Sequence, residues 1–380
     1  MELEKLQIHI CTLATLPETN VPVISCYLTL EKGRLKDPNA FDERIRFLGK
    51  SLSEHTQRDF EEALNQIARY MAAELLPDTK GLAIFSRAGK DLFFLPLQLR
   101  VPLPNWVAMD TIPNIYHLVE LKDTYHRYVV MISTEESARI LEVNLGSVTE
   151  ELWKHRPELR KRVGREWTKI HYQNHRRDRT LKFVKEKIKI LEKLMSTGGY
   201  AHLILAGHPT ITNMLQNNLP KHLSAKLIGV MSASGKTPIS DIVDATIASF
   251  IKAEEKESRA AVEELERQIY SDGLAVVGTG PSFQALRRGQ VDMLVLTKAY
   301  APDPELVCSK CGIIDSKTAN PDACPLCSST NLKTINIKEA MVRMAEKHDC
   351  IIEVVDHSDI LMKFRGVGCL LRYRLPEEYL

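Results

Sequence analysis

The sequence lacks the long apolar runs and the biased composition that mark membrane and fibrous proteins. No apolar stretch approaches the ~18 residues that a membrane-spanning helix needs. The first residues, MELEKLQIHICTLATLP, are acidic where a secretory signal is basic, and their apolar runs are short. Internal repeats and low-complexity tracts are also missing. These absences predict a soluble, folded, cytoplasmic protein without a membrane partner.

A complete phosphate-binding P-loop is absent as well. The stretch SASGKTP, residues 232–238, ends in Gly-Lys-Thr, but five residues separate Gly229 from Gly235 where the motif has four. We therefore expect no nucleotide hydrolysis from this segment.

The remaining features are those of a globular protein with several domains. Hydrophobic residues make up 44% and charged residues 26% of the chain, which are ordinary values for folded proteins. A chain of 380 residues exceeds one core of usual size. Strand-like and helix-like segments alternate throughout, so the predicted fold class is α/β, with three consecutive α/β domains.

The predicted domains are an N-terminal α/β domain at residues 1–123, a central domain at 124–245 and a C-terminal α/β sandwich domain at 246–380. In the first, a β-rich segment leads into a long helical stretch from about residue 41 to 75, and residues 81–99 form a hairpin. The third alternates strands and helices around a cysteine-bearing insert.

Three segments organise the predicted central domain. The pattern of YVVMIS and ARILEVNLGSV indicates two strands joined by a short polar connection, and AHLILAG is typical of a buried strand. Between them, a helix is predicted from about Arg176 to Met195, because apolar residues recur every three or four positions on one face: Leu181, Val184, Ile188, Leu191 and Met195.

Four cysteines in the third predicted domain form two Cys-x-x-Cys pairs. Cys308 and Cys311 are followed, after twelve residues, by Cys324 and Cys327. Two such turns present four thiolates, the ligand set that a structural Zn²⁺ takes in a tetrahedron. We predict a zinc ribbon at residues 305–330; a redox pair or disulfides are the alternative, which a cytoplasmic setting disfavours. The other cysteines are predicted core residues: Cys11, Cys26, Cys350 and Cys369.

Positive charge is concentrated in one stretch of the chain. Residues 154–189 contain fourteen Lys and Arg against four Asp and Glu, a local charge of +10, which leaves −8 for the rest of a chain whose total is +2. Charge gathered in this way favours contact with a polyanion over a general role in solubility. A solvated helix face is the alternative.

The residue types in this stretch favour RNA as the polyanion. Arginine forks match phosphate oxygens, and aromatic side chains stack on unpaired bases. The predicted RNA-binding residues are Arg160, Lys161, Arg162, Arg165, Trp167, Lys169, His171, His175, Arg176, Arg177 and Arg179.

Segments from all three predicted domains resemble the superfamily of archaeal and eukaryotic class 1 release factors and Pelota, and its bacterial branch in particular. The segment LAVVGTGPSFQALRRGQVDMLVL resembles the strand, helix and strand of the family's third domain, and KFRGVGCLLRYRL resembles its final strand. The loop, basic helix and AHLILAG strand resemble the family's central domain. The resemblance extends over nearly the whole chain.

The resemblance implies a factor that enters the vacant ribosomal A site. It implies that the first domain lies near the decoding centre, that the central loop lies near the peptidyl transferase centre, and that the third domain faces a translational GTPase such as elongation factor Tu. A monomer is expected for such a ligand.

The loop that carries catalysis in the family's release factors is altered. Those factors place Gly-Gly-Gln before the basic helix, whereas this chain has Val163-Gly164-Arg165-Glu166-Trp167-Thr168-Lys169. This departure resembles the non-hydrolytic members of the superfamily and implies ribosome hibernation or protection. The alternative is a peptidyl-tRNA hydrolase or release factor acting in ribosome rescue, with Gly164, Glu166 and Gln173 as candidate catalytic residues.

Overall fold

A computed structural model shows a mixed α/β protein with two compact units. One unit combines residues 3–124 with the chain from residue 254 onward, and the other spans residues 125–253. Within the described part of the chain, no helix is both long and apolar enough to cross a membrane. The structure describes residues 2–19, 21–50, 52, 54–134, 137–155, 169–197, 200–234, 236–311, 314–315 and 323–374.

The first segment of the discontinuous unit is an antiparallel sheet flanked by helices. The strands run in the order β2-β1-β3-β4, and β5 pairs with β1. The apolar faces of α2 and α3 pack on this sheet through residues such as Phe60 and Ile67. In chain order the elements are α1 (Leu3–Thr15), β1 (Val23–Glu31), β2 (Arg34–Leu35), α2 (Pro38–Gly49), α3 (Glu54–Ala73), β3 (Gly81–Arg87), β4 (Phe93–Leu99), β5 (Trp106–Asp110) and α4 (Tyr116–Thr124).

The central unit is a mixed sheet in the order β10-β9-β6-β7-β8. The strands β10, β9 and β6 are parallel, and β7 and β8 are antiparallel to their neighbours. One side of the sheet is covered by α5 and α6, which bury apolar residues such as Val184, Leu191 and Leu215. The elements are β6 (Tyr128–Ser133), β7 (Ser137–Asn144), β8 (Ser147–His155), α5 (Lys169–Thr197), β9 (His202–Gly207), α6 (Pro209–Asn218), α7 (Lys221–Ser224) and β10 (Leu227–Ser232).

The last segment contains a four-stranded sheet in the order β11-β17-β12-β16 and a small three-stranded antiparallel sheet in the order β14-β13-β15. The small sheet is inserted between β12 and α10. The long helix α8 (Ile239–Tyr270) begins in the central unit and continues into the last segment. The remaining elements are β11 (Ala275–Val277), α9 (Thr279–Arg287), β12 (Val291–Thr297), β13 (Glu305–Cys308), β14 (Ile314–Asp315), β15 (Leu332–Ile335), α10 (Ile337–Lys347), β16 (Ile351–Val355), α11 (Asp359–Lys363) and β17 (Val367–Leu371).

Buried polar groups join the first and last segments into one unit. The Glu339 carboxylate of α10 accepts hydrogen bonds from the backbone N–H groups of Ile115 (2.8 Å) and Tyr116 (3.2 Å), at the start of α4. The Arg343 guanidinium donates to the carbonyl oxygens of Leu13 and Leu16, each at 3.1 Å, at the end of α1. Side chains of α10 thus satisfy backbone groups that helix ends leave unpaired.

A second set of contacts holds α4 against the last sheet. The Asp123 carboxylate accepts the Val354 N–H of the edge strand β16 at 2.8 Å. The Lys122 ammonium group lies 2.7 Å from the Glu346 carboxylate, which also accepts from the Gln7 amide at 3.1 Å. Because both ends of these contacts are largely buried, they fix the first segment on the last.

The α/β class is confirmed, and several elements differ from their predicted limits. The predicted helical stretch from about residue 41 to 75 is two helices, α2 and α3. The predicted strand ARILEVNLGSV turns at Leu145 and Gly146, whose positive φ values of 48° and 72° separate β7 from β8. The three-domain division at residues 123/124 and 245/246 remains a prediction.

Candidate metal centre and the basic segment

The four paired cysteines converge beside the small three-stranded sheet. Cys308 is the last residue of β13, and Cys311 lies in the turn that follows. Cys324 and Cys327 lie in a second turn, closed by hydrogen bonds from Ser328 N–H to the Cys324 carbonyl (2.9 Å) and from Cys324 N–H to the Ser329 carbonyl (2.8 Å). Two short turns therefore bring together cysteines that are distant in sequence.

The sulfur atoms have the spacing of a shared metal site. Cys308 Sγ lies 3.5 Å from Cys327 Sγ, Cys311 Sγ lies 3.4 Å from Cys324 Sγ, and all four sulfurs lie within 4.8 Å of one another. A disulfide joins sulfurs at ~2.0 Å, whereas a tetrahedron with Zn–S bonds of ~2.3 Å has edges of ~3.8 Å. The arrangement is compatible with one tetrahedral zinc ion.

Backbone amides favour the thiolate form at the first cysteine of each pair. The N–H groups of Cys311 and Lys310 point at Cys308 Sγ and lower the pKa of that thiol to about 6. The N–H groups of Cys327 and Leu326 likewise lower the pKa of Cys324. By contrast, burial raises the pKa of Cys26 to about 12. Because metals bind the thiolate, this environment suits ligation.

The remaining cysteines do not approach this cluster in the described structure. Cys26, Cys350 and Cys369 are buried, as predicted for core residues. The prediction was wrong for Cys11, which is exposed on α1. Its apolar neighbours Ile10 and Leu13 point inward, but its own position faces outward, because one face of a helix is solvated.

Only the helical half of the basic segment has a described backbone. Lys169, His171, Gln173, His175, Arg176, Arg177 and Arg179 lie in the first half of α5. The other predicted residues lie outside the described residues: Arg160, Lys161, Arg162, Gly164, Arg165, Glu166 and Trp167. The RNA-binding and catalytic assignments therefore stay predictions.

The predicted apolar face of α5 is confirmed, and the helix itself begins earlier than predicted. Val184, Ile188, Leu191 and Met195 are buried in the central core, and Leu181 is half-buried. The helix begins at Lys169 rather than at about Arg176, because the prediction relied on apolar periodicity and the first half of α5 lacks it.

Two sets of buried charged residues were not predicted from sequence. Glu339 and Arg343 of α10 join the first and last segments, and no sequence pattern distinguishes them from solvated helix residues. Lys187 is only 1% exposed although it lies in the basic helix. Its position between Val184 and Ile188 on the apolar face of the helix was the sequence feature that could have predicted its burial.

Comparisons with known proteins find a family match for the central part of the chain. Residues 113–250 match the model of bacterial archaeo-eukaryotic release factor family 10. Peptide chain release factor subunit 1 of Pyrococcus abyssi is 25% identical over 213 residues, 49% of this chain and 51% of the relative. The same protein of Thermococcus sibiricus is 24% identical over 189 residues, 44% of this chain and 46% of the relative. The chain thus spans about half the length of these relatives.

The whole chain also aligns with an archaeal Pelota in a ribosome-bound model, with a TM-score of 0.42 at 14% identity, covering 98% of this chain and 95% of that one. The sequence matches therefore carry the assignment. They show that about half of the chain is similar to peptide chain release factor subunit 1 and that residues 113–250 match bacterial archaeo-eukaryotic release factor family 10.

Proposed function

We propose that the protein is a ribosome-binding translation factor that occupies the A site and reaches the peptidyl transferase centre with residues 160–179. The observation that carries the proposal is the local charge of +10 on residues 154–189, inside the segment that matches the release factor family. Lys and Arg neutralise backbone phosphates, which makes a basic projection suited to rRNA. The relatives named peptide chain release factors support the ribosome as the partner.

We propose that binding occurs without hydrolysis, in ribosome hibernation or protection. Ester hydrolysis in the family's release factors depends on a small Gly-Gly-Gln loop, and a misplacement of ~1 Å can cost ~100-fold in rate. Here only Gly164 remains, and Arg165, Glu166 and Trp167 follow it. In this respect the chain resembles the ribosome hibernation factor Balon.

We also propose a role for each end of the chain. Residues 1–123 lie toward the decoding centre, and residues 246–380 face a translational GTPase such as elongation factor Tu. The cysteine cluster holds one Zn²⁺ as a zinc ribbon that stabilises the small sheet. With four protein ligands the site has no open position for substrate, so the metal is structural.

The test of ribosome binding is co-sedimentation with vacant ribosomes over a range of salt concentrations. We expect binding at low salt that weakens steeply as salt rises, because each phosphate contact releases a counterion. The control is the same chain with residues 156–168 replaced by a Gly/Ser linker. Equal sedimentation of both proteins, or no binding at low salt, would refute the role of the segment.

The alternative function is peptidyl-tRNA hydrolysis in ribosome rescue. It is favoured by the name of the relatives, peptide chain release factor, and by the retained Gly164. In this reading Glu166 or Gln173 orients the attacking water. Ribosomes with labelled peptidyl-tRNA separate the two functions: we expect the peptide to stay bound after the protein is added, and release that is lost in Gln173→Ala would favour the alternative.

A further inference from the structure

Lys187 has a buried ammonium group that neither the fold class nor the proposed RNA contacts explain. It is 1% exposed, and its Nζ donates to Ser133 Oγ at 2.6 Å and to the Thr134 carbonyl oxygen at 2.9 Å. The same Nζ lies 4.1 Å from the centre of the Phe183 ring. Removing an ammonium group from water is costly, and a Met or Leu would fill this position without that cost. The charge must therefore serve something other than simple packing.

The atoms that Lys187 contacts lie at the carboxyl end of strand β6, where the backbones of two neighbouring strands are closely packed. Ser133 ends β6 and pairs with Gly207, the last residue of the parallel strand β9. A Cβ atom on Gly207 would lie 2.0 Å from the Ser133 carbonyl oxygen, so only glycine permits this approach. Gly207 confines Ser133 from one side and the Lys187 ammonium group contacts its hydroxyl group.

The helix α5 is much longer than the sheet on which it packs. Its 29 residues correspond to ~43 Å of helix, whereas a strand of six residues such as β6 spans ~20 Å. His155, the last residue of β8, pairs with Ser137, and the adjacent Ala138 pairs with Ser133. The strand β8 therefore ends at the same end of the sheet as β6. Ile188, Leu191 and Met195 pack in the core under the sheet, and Lys187 contacts the residues at the end of β6, so the part of α5 that precedes Lys187 extends past this end of the strands.

Lys187 contacts the sheet where this projecting part of the helix begins. Helical side chains lean toward the amino terminus, which places the ammonium group at the level of Phe183, one turn earlier. Phe183 and Val184 are the first strongly buried residues of α5 whose side chains are described. Residues 169–182, about 20 Å of helix, precede this point.

We propose that Lys187 is a positioning residue that fixes the direction and register of the projecting half of α5. Its ammonium group donates to both the Ser133 hydroxyl group and the Thr134 carbonyl oxygen, and these two hydrogen bonds are made at only one position of the helix. An apolar side chain would let the helix slide along the sheet. The proposal rests on the proposed function in one respect: the projecting half carries the basic residues offered to RNA.

Amide hydrogen exchange of the isolated protein tests the positioning role without the ribosome. In Lys187→Met, which keeps side-chain length and helix propensity, we expect exchange of residues 170–182 to accelerate at least ~10-fold. Residues 188–195 and β9 should keep their protection. The matched control is Lys185→Met, an exposed lysine on the same helix, which should leave all rates unchanged.

Ser133→Ala is the milder second variant, because it removes one acceptor and leaves the lysine in place. It should accelerate exchange of the same residues by a smaller factor. Adding it to Lys187→Met should have little further effect, since both variants remove the same contact between the Lys187 ammonium group and the Ser133 hydroxyl group. Unchanged exchange at 170–182, or equal acceleration across the whole central unit, would overturn the proposal.

Ribosome co-sedimentation adds the functional outcome. We expect Lys187→Met to bind ribosomes at least ~10-fold more weakly than Lys185→Met at equal salt, because the two variants lose the same charge and only the first loses the contact with the sheet. A wild-type protein that does not bind ribosomes would refute the proposed function and leave the exchange result to decide the positioning role. Wild-type affinity in Lys187→Met would show that RNA binding does not need a fixed helix.

Discussion

Glu339 combines full burial with two hydrogen bonds to the start of α4. Burial raises the pKa of its carboxyl group to about 7, against an ordinary value of 4.5, although the N–H groups of Ile115 and Tyr116 act in the opposite direction. Lys338 and Arg343 are the nearby cations and Asp110 is the nearby acid. Burial also lowers the pKa of Lys338 to about 8. This joint between segments is therefore sensitive to pH.

The sign of the pH effect follows from the raised pKa of Glu339. Between 4.5 and about 7 the folded protein holds a proton that the unfolded chain releases, so stability is greatest below this window and falls as pH rises through it. We expect the fall to reach about 3 kcal/mol in the free energy of unfolding. Glu339→Gln, an uncharged side chain of equal size, should remove this part of the pH dependence.

Urea unfolding at several pH values measures this difference. Glu346→Gln is the control, because Glu346 is a carboxylate on the same helix that pairs with the Lys122 ammonium group instead of accepting from backbone N–H groups. Parallel pH profiles for the wild type and Glu339→Gln would contradict the account.

The cysteine cluster gives a second prediction for single residues. Cys308→Ser should reduce bound zinc from about one ion per chain to well below one, because it removes one of four ligands and the amide environment built around its sulfur. Metal analysis of purified protein measures the content. Cys11→Ser is the control, since Cys11 is exposed and lies outside the cluster. Equal zinc in both variants, or none in the wild type, would refute the zinc assignment.

Sequence identified the cysteines but not the buried charges. The Cys-x-x-Cys spacing predicts a set of metal ligands from neighbouring residues alone, so Cys308 and its partners could be found without a structure. Glu339 depends on which backbone N–H groups meet it, and Ile115 is more than two hundred residues away. Such a long-range contact leaves no local pattern.

The helix α5 divides into a half with a described apolar face and a half that begins beyond the sheet. Sequence periodicity predicted the C-terminal half, because Val184, Ile188 and Leu191 recur on one face. It did not predict the start at Lys169, since helix formation there does not depend on an apolar stripe. Equal numbers of basic residues can be replaced in each half, which tests whether the position of the charge affects ribosome binding.

Replacing Arg176, Arg177 and Arg179 with Ala should weaken ribosome binding. Loss of three phosphate contacts should reduce the slope of log affinity against log salt by about 2. The control replaces Lys185, Lys189 and Lys193 with Ala, three exposed lysines on the second half of α5, for the same change in charge. Co-sedimentation over a salt series measures both. An equal loss in the two variants would show that the net charge of the helix matters and its position does not.

The whole molecule forms two compact units that do not follow chain order. Residues 3–124 and the chain from 254 onward form one unit, and residues 125–253, which lie between them in sequence, form the other. The cause is a set of polar contacts made by α10 and α4, which join residues that are distant in sequence. We expect the proposed decoding-side and GTPase-side segments to move together.

The central claim is that the protein occupies the A site with residues 160–179 at the peptidyl transferase centre. A cryo-EM map of the protein mixed with vacant ribosomes tests it most directly. The account predicts density in the A site that extends through α5 to the peptidyl transferase centre. Density at another ribosomal site, or ribosomes without bound protein at low salt, would contradict it.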